Sequence, residues 1–437
     1  MQKKQNINIV WFRNDLRSRD QKSLYDACQE SEPVLGVYCF DPKHYETTEY
    51  GFKKTEKYRA KFLIETVSQL SKNLRDKNIS LHVEHEEPAK VFEKLAEKYT
   101  VKSLFYQNEW TSEEKQVELE VKSVLNETTF IENYTQFLFH PEDIPYNSFD
   151  QIPEVFTNFR KKCEKQSQVR DEIRTPDALS EENLLEVKAE IPSLTDLGLE
   201  DFKVDDRSAF PFQGGEDAAW KRLQNYFWDT KKLKYYKKTR NGLLGTDYSS
   251  KFSAWLANGS ISAVSIYHEV KRFEKEVKKN QDTYWLIFEL IWRDYFKYIS
   301  LKHGNKIFQL GGVLNKDYDW GNNDRALNQW INGNTPEPFV NANMIEIRET
   351  GFMSNRGRQN VNSYWAKEWK QDWRIGAAYF ESMLVDYDVH SNWGNWMYNS
   401  GVGNDPRDRK FNIKSQADRY DANGKYQRTW LQEKLFK

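Results

Sequence analysis

Apolar and polar positions follow two different rhythms along the chain, and the change of rhythm divides it. Up to about residue 134, short apolar runs recur at 7–12, 34–40, 79–83, 104–106 and 130–131. Between them lie amphipathic stretches with helical spacing, clearest at 57–74 and at 89–99, just after Pro88. Short apolar runs separated by helical spacers predict parallel strands joined by helices. From 135 to 206 the pattern dissolves into Pro-punctuated text that ends in an acidic stretch, 177–206, and this predicts a long connector over the surface. Beyond Phe210-Pro211-Phe212-Gln213-Gly214-Gly215 the helical period takes over, at 218–227, 261–278, 284–301, 325–332 and 361–385. The expected organisation is an α/β parallel-sheet domain over 1–134, a connector over 135–206 and an all-α domain over 207–437.

Composition narrows the function classes. A chain of 437 residues has room for two or three packed units. With 65 Lys plus Arg against 66 Asp plus Glu the net charge is −1, so binding to a polyanion requires a local basic patch. Three cysteines without CxxC spacing suit free thiols in a reducing compartment, and a cytoplasmic protein is expected. The N-terminus runs straight into the first apolar run, and no stretch approaches 18 apolar residues, so neither an export signal nor a membrane span is expected. His82 and His85 would face opposite sides of a strand, and no metal site is expected. The turn after the first strand reads Arg13-Asn14-Asp15-Leu16-Arg17, without the glycines of a dinucleotide fingerprint. The 15 tryptophans are more than a core requires, since each indole N–H needs a partner when buried.

Four segments carry candidate chemistry. Glu289, Trp292, Arg293 and Phe296 share one face of a helix, which is either a core helix with an ion pair or the wall of a pocket for a flat π-ligand. Ser354-Asn355-Arg356-Gly357-Arg358-Gln359-Asn360 is polar and basic at a helix start, either a solvated cap or an anion site. The run from Asp386 to Tyr398 packs carboxylates, amides and aromatics around Gly394, too polar for a plain core. The basic-aromatic KKLKYYKKTR of 231–240 precedes Ser249-Ser250-Lys251-Phe252-Ser253, whose hydroxyls and ammonium suit a diphosphate.

Read together, these segments resemble the photolyase/cryptochrome flavoproteins, most closely the DASH group. The resemblance covers nearly the whole chain, through IVWFRNDLR, FQGGEDAAWKRL, TRNGLLGTDYSSKFSAWLANGSIS, FELIWRDYF, TGFMSNRGRQN, DWRIGAAYFE, DYDVHSNWGNW and GVGNDPRDRKFN in that order. It implies an α/β antenna domain, a connector and a photolyase-like, all-α FAD-binding domain. It implies that Tyr236, Ser249, Ser250, Lys251, Phe252 and Ser253 hold the phosphates of FAD, and that Arg293, Arg358, Asp386 and Asp388 line the flavin, Arg358 pairing with Asp386. Asn392 takes the place opposite flavin N5, where a neutral amide adds no negative charge beside a reduced ring. Trp396, Trp373 and Trp320, inner to outer, match an electron conduit.

The same resemblance implies a lesion pocket of Glu289, Trp292, Asn355, Arg356, Gln359 and Tyr398 around a flipped pyrimidine dimer, with Glu289, Trp292 and Asn392 as the catalytic set. The implied activity is light-driven cyclobutane pyrimidine dimer repair by electron transfer from excited reduced FAD, a carbon–carbon lyase reaction. Gln359 and Tyr398 stand where ordinary dimer photolyases carry Met and Trp, so the pocket is more polar and dimers in single-stranded or looped DNA are the expected substrate. The alternative is a blue-light photoreceptor that binds nucleic acid without repair. Repair of the (6-4) photoproduct would call for a histidine that 355–359 lacks. A folate antenna, 5,10-methenyltetrahydrofolate, is the usual DASH partner, with Glu109 as its contact, and a monomer is expected. Departures from the family text are Gly333–Met344, which loses an Arg, a Gly and an Asp, Ala254 in place of a Pro, and the unusually aromatic Tyr364-Trp365-Ala366-Lys367-Glu368-Trp369.

Overall fold

The computed structural model describes residues 4–432; the outermost limits of the two expected domains lie outside the described residues. Strands β1 (Gln5–Trp11), β2 (Val34–Cys39), β3 (Ser80–Glu84), β4 (Tyr99–Gln107) and β5 (Thr129–Asn133) form one parallel sheet in the order β3-β2-β1-β4-β5. Helices α1 (Lys22–Ala27), α2 (Lys57–Arg75), α3 (Pro88–Lys98) and α4 (Ser112–Val124) cover its faces. Val10 packs with Leu24, Val67, Leu70 and Leu74, whereas Ile7 and Ile9 pack with Val91, Phe92, Leu95 and Val121. Both faces are therefore buried at the centre of the sheet, which is why β1 and β2 read as nearly continuous apolar runs. Helix α3 ends one residue earlier than its periodicity predicts, because Tyr99 pairs with Gln5 and opens β4. The short α1 and the charged α4 bury few apolar side chains and leave little period to read.

The connector is not confined to the surface. Phe137, Leu138 and Phe139 are buried, and helix α5 (Phe156–Gln166) sends Phe156, Phe159 and Cys163 into the core of the helical half. The backbone N–H groups of Leu138 and Phe139 donate to the Asp294 carboxylate at 3.0 and 2.8 Å, so a buried acid fixes the point where the chain enters that core. Farther on, the acidic stretch runs beside β3: Val83 N–H donates to the Lys188 carbonyl at 3.2 Å and Glu190 N–H to the Val83 carbonyl at 3.1 Å.

The remainder is helical: α6 (Glu216–Leu223), α7 (Tyr236–Thr239), α8 (Ser253–Ala257), α9 (Ala263–Glu276), α10 (Gln281–His303), α11 (Asp324–Ile331), α12 (Pro338–Thr350), α13 (Asn355–Ser363), α14 (Trp373–Met383), α15 (Val389–Ser400), α16 (Ile413–Tyr420) and α17 (Lys425–Leu431). Helix α10 is the centre of this half, capped reciprocally by Asn280 and Thr283 and buried around most of its girth. The single helix expected over 361–385 is broken. Helix α13 runs into a π turn (Tyr364–Glu368), Lys370 adopts a left-handed conformation with φ 52°, and Asp372 caps α14 by accepting from Arg374 N–H at 2.9 Å. Glu216 joins the halves, accepting from the N–H groups of Ser18 and Arg19 at 2.8 and 3.0 Å. In the departing segment Asn341 closes the loop, accepting from Thr335 N–H at 2.8 Å and donating to the Thr335 carbonyl at 2.8 Å. Among the described residues no helix is long and apolar enough to cross a membrane, and no cluster of three His, Cys, Asp or Glu stands ready for a metal.

Candidate functional site

A cavity of about 270 Å³ opens inside the helical half, bounded by α7, the loop entering α8, and helices α10, α13 and α15. Its wall includes Tyr236, Ser249, Ser250, Lys251, Phe252, Ser253, Arg293, Arg358, Asp386, Asp388 and Asn392, so every candidate cofactor residue from five separate segments reaches one space. The loop 249–253 owes its shape to Arg222, buried in α6, which donates to the carbonyls of Ser250, Ser249 and Thr246 at 3.0 Å each. Lys251 sits in that loop with φ 64° and is only 2 % exposed; its ammonium has no hydrogen-bond partner and lies 3.3 Å from the Tyr248 ring centroid. Burial pulls its pKa well below the ordinary lysine value, against the pull of Glu346. A buried ammonium without a hydrogen-bond partner costs several kcal/mol, a cost that a diphosphate would reduce.

On another wall Arg358 donates to both Asp386 oxygens at 2.8 Å while its Nε holds the Met353 carbonyl at 2.9 Å. Asn392 donates to the Ala377 carbonyl at 2.9 Å, which locks the amide over the cavity. Asp388 caps α15 by accepting from Ser391 N–H at 2.7 Å and meets Lys297 at 3.0 Å. Burial opposes its charge, yet Lys297, His390 and Arg293 outweigh burial and hold its pKa well below the carboxylate range. Arg293 points its guanidinium at the carbonyls of Gln136 and Leu256, the latter at 3.0 Å. An orphaned ammonium beside clustered hydroxyls and a fixed guanidinium–carboxylate pair are the donor set that a diphosphate and a flavin ring edge require, so the residues present fit FAD.

Glu289, Asn355 and Gln359 also line this cavity. Burial raises the Glu289 pKa, and Arg240, 2.7 Å away, works against that rise. The other three lesion candidates lie beyond the cavity wall. Trp292 is stacked on Phe156 at 3.6 Å and meets Tyr398 edge-on at 5.8 Å. Arg356 donates to Gln359 at 2.9 Å and to Asn241 at 3.2 Å, with the Tyr420 ring 4.6 Å from its guanidinium. Arg409 is exposed and donates to the Tyr398 hydroxyl at 3.2 Å, and Arg407 is exposed nearby in sequence.

Trp396 lines the cavity and is 1 % exposed. Gly376 abuts its ring: a methyl at Gly376 would stand 2.2 Å from Trp396 Cη2. Trp373, one turn before Gly376 in α14, is fully buried, meets Trp393 edge-on at 5.8 Å and donates to the Leu310 carbonyl at 2.9 Å. Half-buried Trp320 is followed by Gly321, whose carbonyl accepts from Asp372 N–H at 2.8 Å, immediately before Trp373.

A second cavity, about 490 Å³, lies where the sheet meets the helical half. Phe12, Arg13 and Asn14 after β1 and Glu109 after β4 line it, at the point where the strand order reverses and open α/β sheets bind their ligands. Glu109 accepts from Gln107 at 2.9 Å and Asn14 at 3.3 Å. Ala257, Arg293, Tyr387 and Asp388 line both cavities and form the partition between them.

Sequence reasoning missed Lys297 and Glu346, and it read Arg240 only as the end of a basic-aromatic run. Lys297 follows Arg293 by one helical turn, a readable signal; the pairing of Arg240 with Glu289 joins α10 to the residue after α7 and has no local signature.

Two family models match, DNA photolyase over residues 8–178 and the FAD-binding domain of DNA photolyase over 285–435. The chain is 45 % identical over 428 residues to the cryptochrome DASH of Natronomonas pharaonis, covering 97 % of this chain and 90 % of that one. It is 44 % identical over 434 residues to the cryptochrome DASH of Synechocystis, covering 97 % and 87 %. A crystal structure of the Synechocystis cryptochrome superposes with a TM-score of 0.93 at 43 % identity, covering 99 % of this chain and 90 % of that one. A class III photolyase from Agrobacterium tumefaciens shares the fold, with a TM-score of 0.83 at 23 % identity, covering 99 % and 88 %.

Proposed function

The chain belongs to the cryptochrome DASH group of the photolyase family, with FAD as its cofactor, and from that premise we propose that it repairs cyclobutane pyrimidine dimers under blue light, preferring single-stranded or looped DNA. The observation that carries this reading is that Glu289, Asn355 and Gln359 share one cavity with the whole cofactor set. Reduced FAD, when bound and excited, supplies one electron to the cyclobutane ring and takes it back after the two C–C bonds open. The chain's own part is to bind, orient and exclude water. Glu289 hydrogen-bonds the dimer and steadies the negative charge that develops there, and Arg240, 2.7 Å from its carboxyl, keeps it aimed. Trp292 and Tyr398 form an aromatic corner beside the flipped bases, while Arg356, Arg407 and Arg409 take backbone phosphate, so binding weakens with salt. One face of Trp292 is already covered by Phe156, and Gln359 is polar; the stacking that offsets extrusion from a duplex is thus small.

Trp320, Trp373 and Trp396 pass electrons inward to the cavity. The larger cavity takes the folate antenna against Glu109, and the thin shared partition supports efficient transfer of excitation, which falls steeply with distance. The chain acts as a cytoplasmic monomer on this reading. The test is illumination of the reduced protein with dimer-containing oligonucleotides, single- and double-stranded, followed by product analysis. Single strands are repaired faster; equal rates refute the preference, and no repair of either strand form points to a blue-light photoreceptor. Trp396→Phe retains FAD and loses photoreduction; unchanged photoreduction kinetics refute the conduit.

A further inference from the structure

Trp396 has a second indole neighbour. The ring of Trp330, in α11, lies 6.2 Å from that of Trp396 between centroids, at 75°. Trp330 lies 4.9 Å from Trp365, and Trp365 lies 6.4 Å from Trp369. Trp330 and Trp365 are fully buried and Trp369 is half-buried at the surface, so four indoles run in an unbroken file from the cavity wall to water. Trp365 and Trp369 stand four residues apart, a spacing that puts side chains on one side of a helical turn, and the π turn that joins them is closed by Trp369 N–H on the Tyr364 carbonyl at 2.9 Å, five residues back.

We propose that Trp330, Trp365 and Trp369 form a second route by which electrons reach Trp396, in parallel with Trp373 and Trp320. The proposal rests on the reading that Trp396 is the indole that donates to the flavin. One electron leaves Trp396 for the light-excited oxidised flavin; Trp330 refills Trp396, Trp365 refills Trp330 and Trp369 refills Trp365, with no bond made or broken. An external thiolate returns one electron to Trp369 and is oxidised to a thiyl radical.

Proton chemistry keeps the positive charge moving outward. The indole N–H groups of Trp396 and Trp330 have no acceptor, so neither cation sheds its proton inside the protein. Trp365 donates to the Asp372 carbonyl at 2.8 Å, which is not a proton sink. Only at Trp369 does water reach the ring and stabilise the charge. Both exits border one surface element, since Gly321 N–H, next to Trp320, donates at 2.7 Å to the carbonyl of Lys370, next to Trp369. One reductant arriving there serves either route.

The experiment uses the FAD-loaded protein with dithiothreitol as reductant and compares Trp320→Phe, Trp369→Phe, the double variant and Trp320→Phe with Trp365→Phe. Flavin content and melting temperature are checked first. Two readouts follow: flavin photoreduction under blue light, and the position of the oxidised indole, found by nitroso spin-trap labelling and peptide mass mapping. The Trp320→Phe protein retains part of its photoreduction and carries label at Trp369; a second block at Trp369 or Trp365 removes both. The proposal is overturned if Trp320→Phe alone loses photoreduction as completely as Trp396→Phe, or if the second block changes nothing and Trp369 stays unlabelled. Should Trp396→Phe itself keep photoreduction, the conduit reading beneath the proposal fails instead.

Discussion

Replacing Gly376 by Ala adds one methyl group at the closest approach of α14 to Trp396. The added carbon would stand 2.2, 2.6 and 2.9 Å from Cη2, Cζ3 and Cζ2 of the indole. Carbon atoms rest at about 3.5–4.0 Å, so the ring would have to withdraw by more than an ångström. Its retreat is blocked by Phe380, edge-on at 5.1 Å, and by Trp330 at 6.2 Å. Overpacking of this kind costs about 1–3 kcal/mol, and with Phe380 and Trp330 against the ring and room left only toward the cavity the upper end applies. Alanine returns about 1 kcal/mol through helix propensity, leaving a net loss of about 2 kcal/mol. For a helical unit of this size that lowers Tm by about 4–8 °C. Thermal melts followed by circular dichroism measure the loss, and flavin photoreduction under blue light reports whether the displaced indole still delivers its electron. A Gly376→Ala protein that melts and photoreduces like the parent would refute the packing of α14 against this ring.

Burial holds the Glu346 carboxyl at about 7 instead of its ordinary 4.5, so the folded chain keeps a proton that the unfolded chain releases. The stability this contributes is present below pH 4.5 and is lost as pH rises to 7, about 3 kcal/mol in all; Glu346→Gln flattens that fall in urea unfolding at pH 5 and 8, and parallel slopes would contradict it. Asp294→Ala leaves the buried N–H groups of Leu138 and Phe139 unpaired. At about 1–3 kcal/mol each the loss is about 2–6 kcal/mol, visible as a lower urea midpoint, and an unchanged midpoint would show that the connector is held by other means. Glu109→Ala lowers folate retention, read by folate fluorescence, at constant flavin absorbance; equal retention would remove Glu109 from the antenna site.

The parallel sheet and the helical half were legible because each rests on a local period: Val10 and its neighbours are apolar without interruption, and 284–301 repeats every three to four residues. Motif text singled out Lys251 and Arg358, and the structure brings them to one cavity. What escaped the sequence depends on contacts between distant segments. The break after the π turn needs Gly321 to receive Lys370 and Asp372, and no property of 361–385 alone announces it. Phe137 and Phe139 looked like connector residues because Asp294, which holds that backbone in the core, lies more than a hundred residues away. The role of Phe156 was hidden for the same reason, since its partner Trp292 belongs to another helix.

The acidic stretch that runs beside β3 has a consequence for how the chain is made. A bare edge strand is a template for pairing with other chains, and Lys188 and Glu190 take up the backbone groups of Val83 that would otherwise be offered. These residues leave the ribosome roughly a hundred residues after β3 does, and at about 5–20 residues per second the edge stays open for on the order of ten seconds. During that interval nascent chains on one polysome hold the same unsatisfied strand toward one another. Dependence on a chaperone should therefore end when residue 190 emerges, well before the helical half is complete.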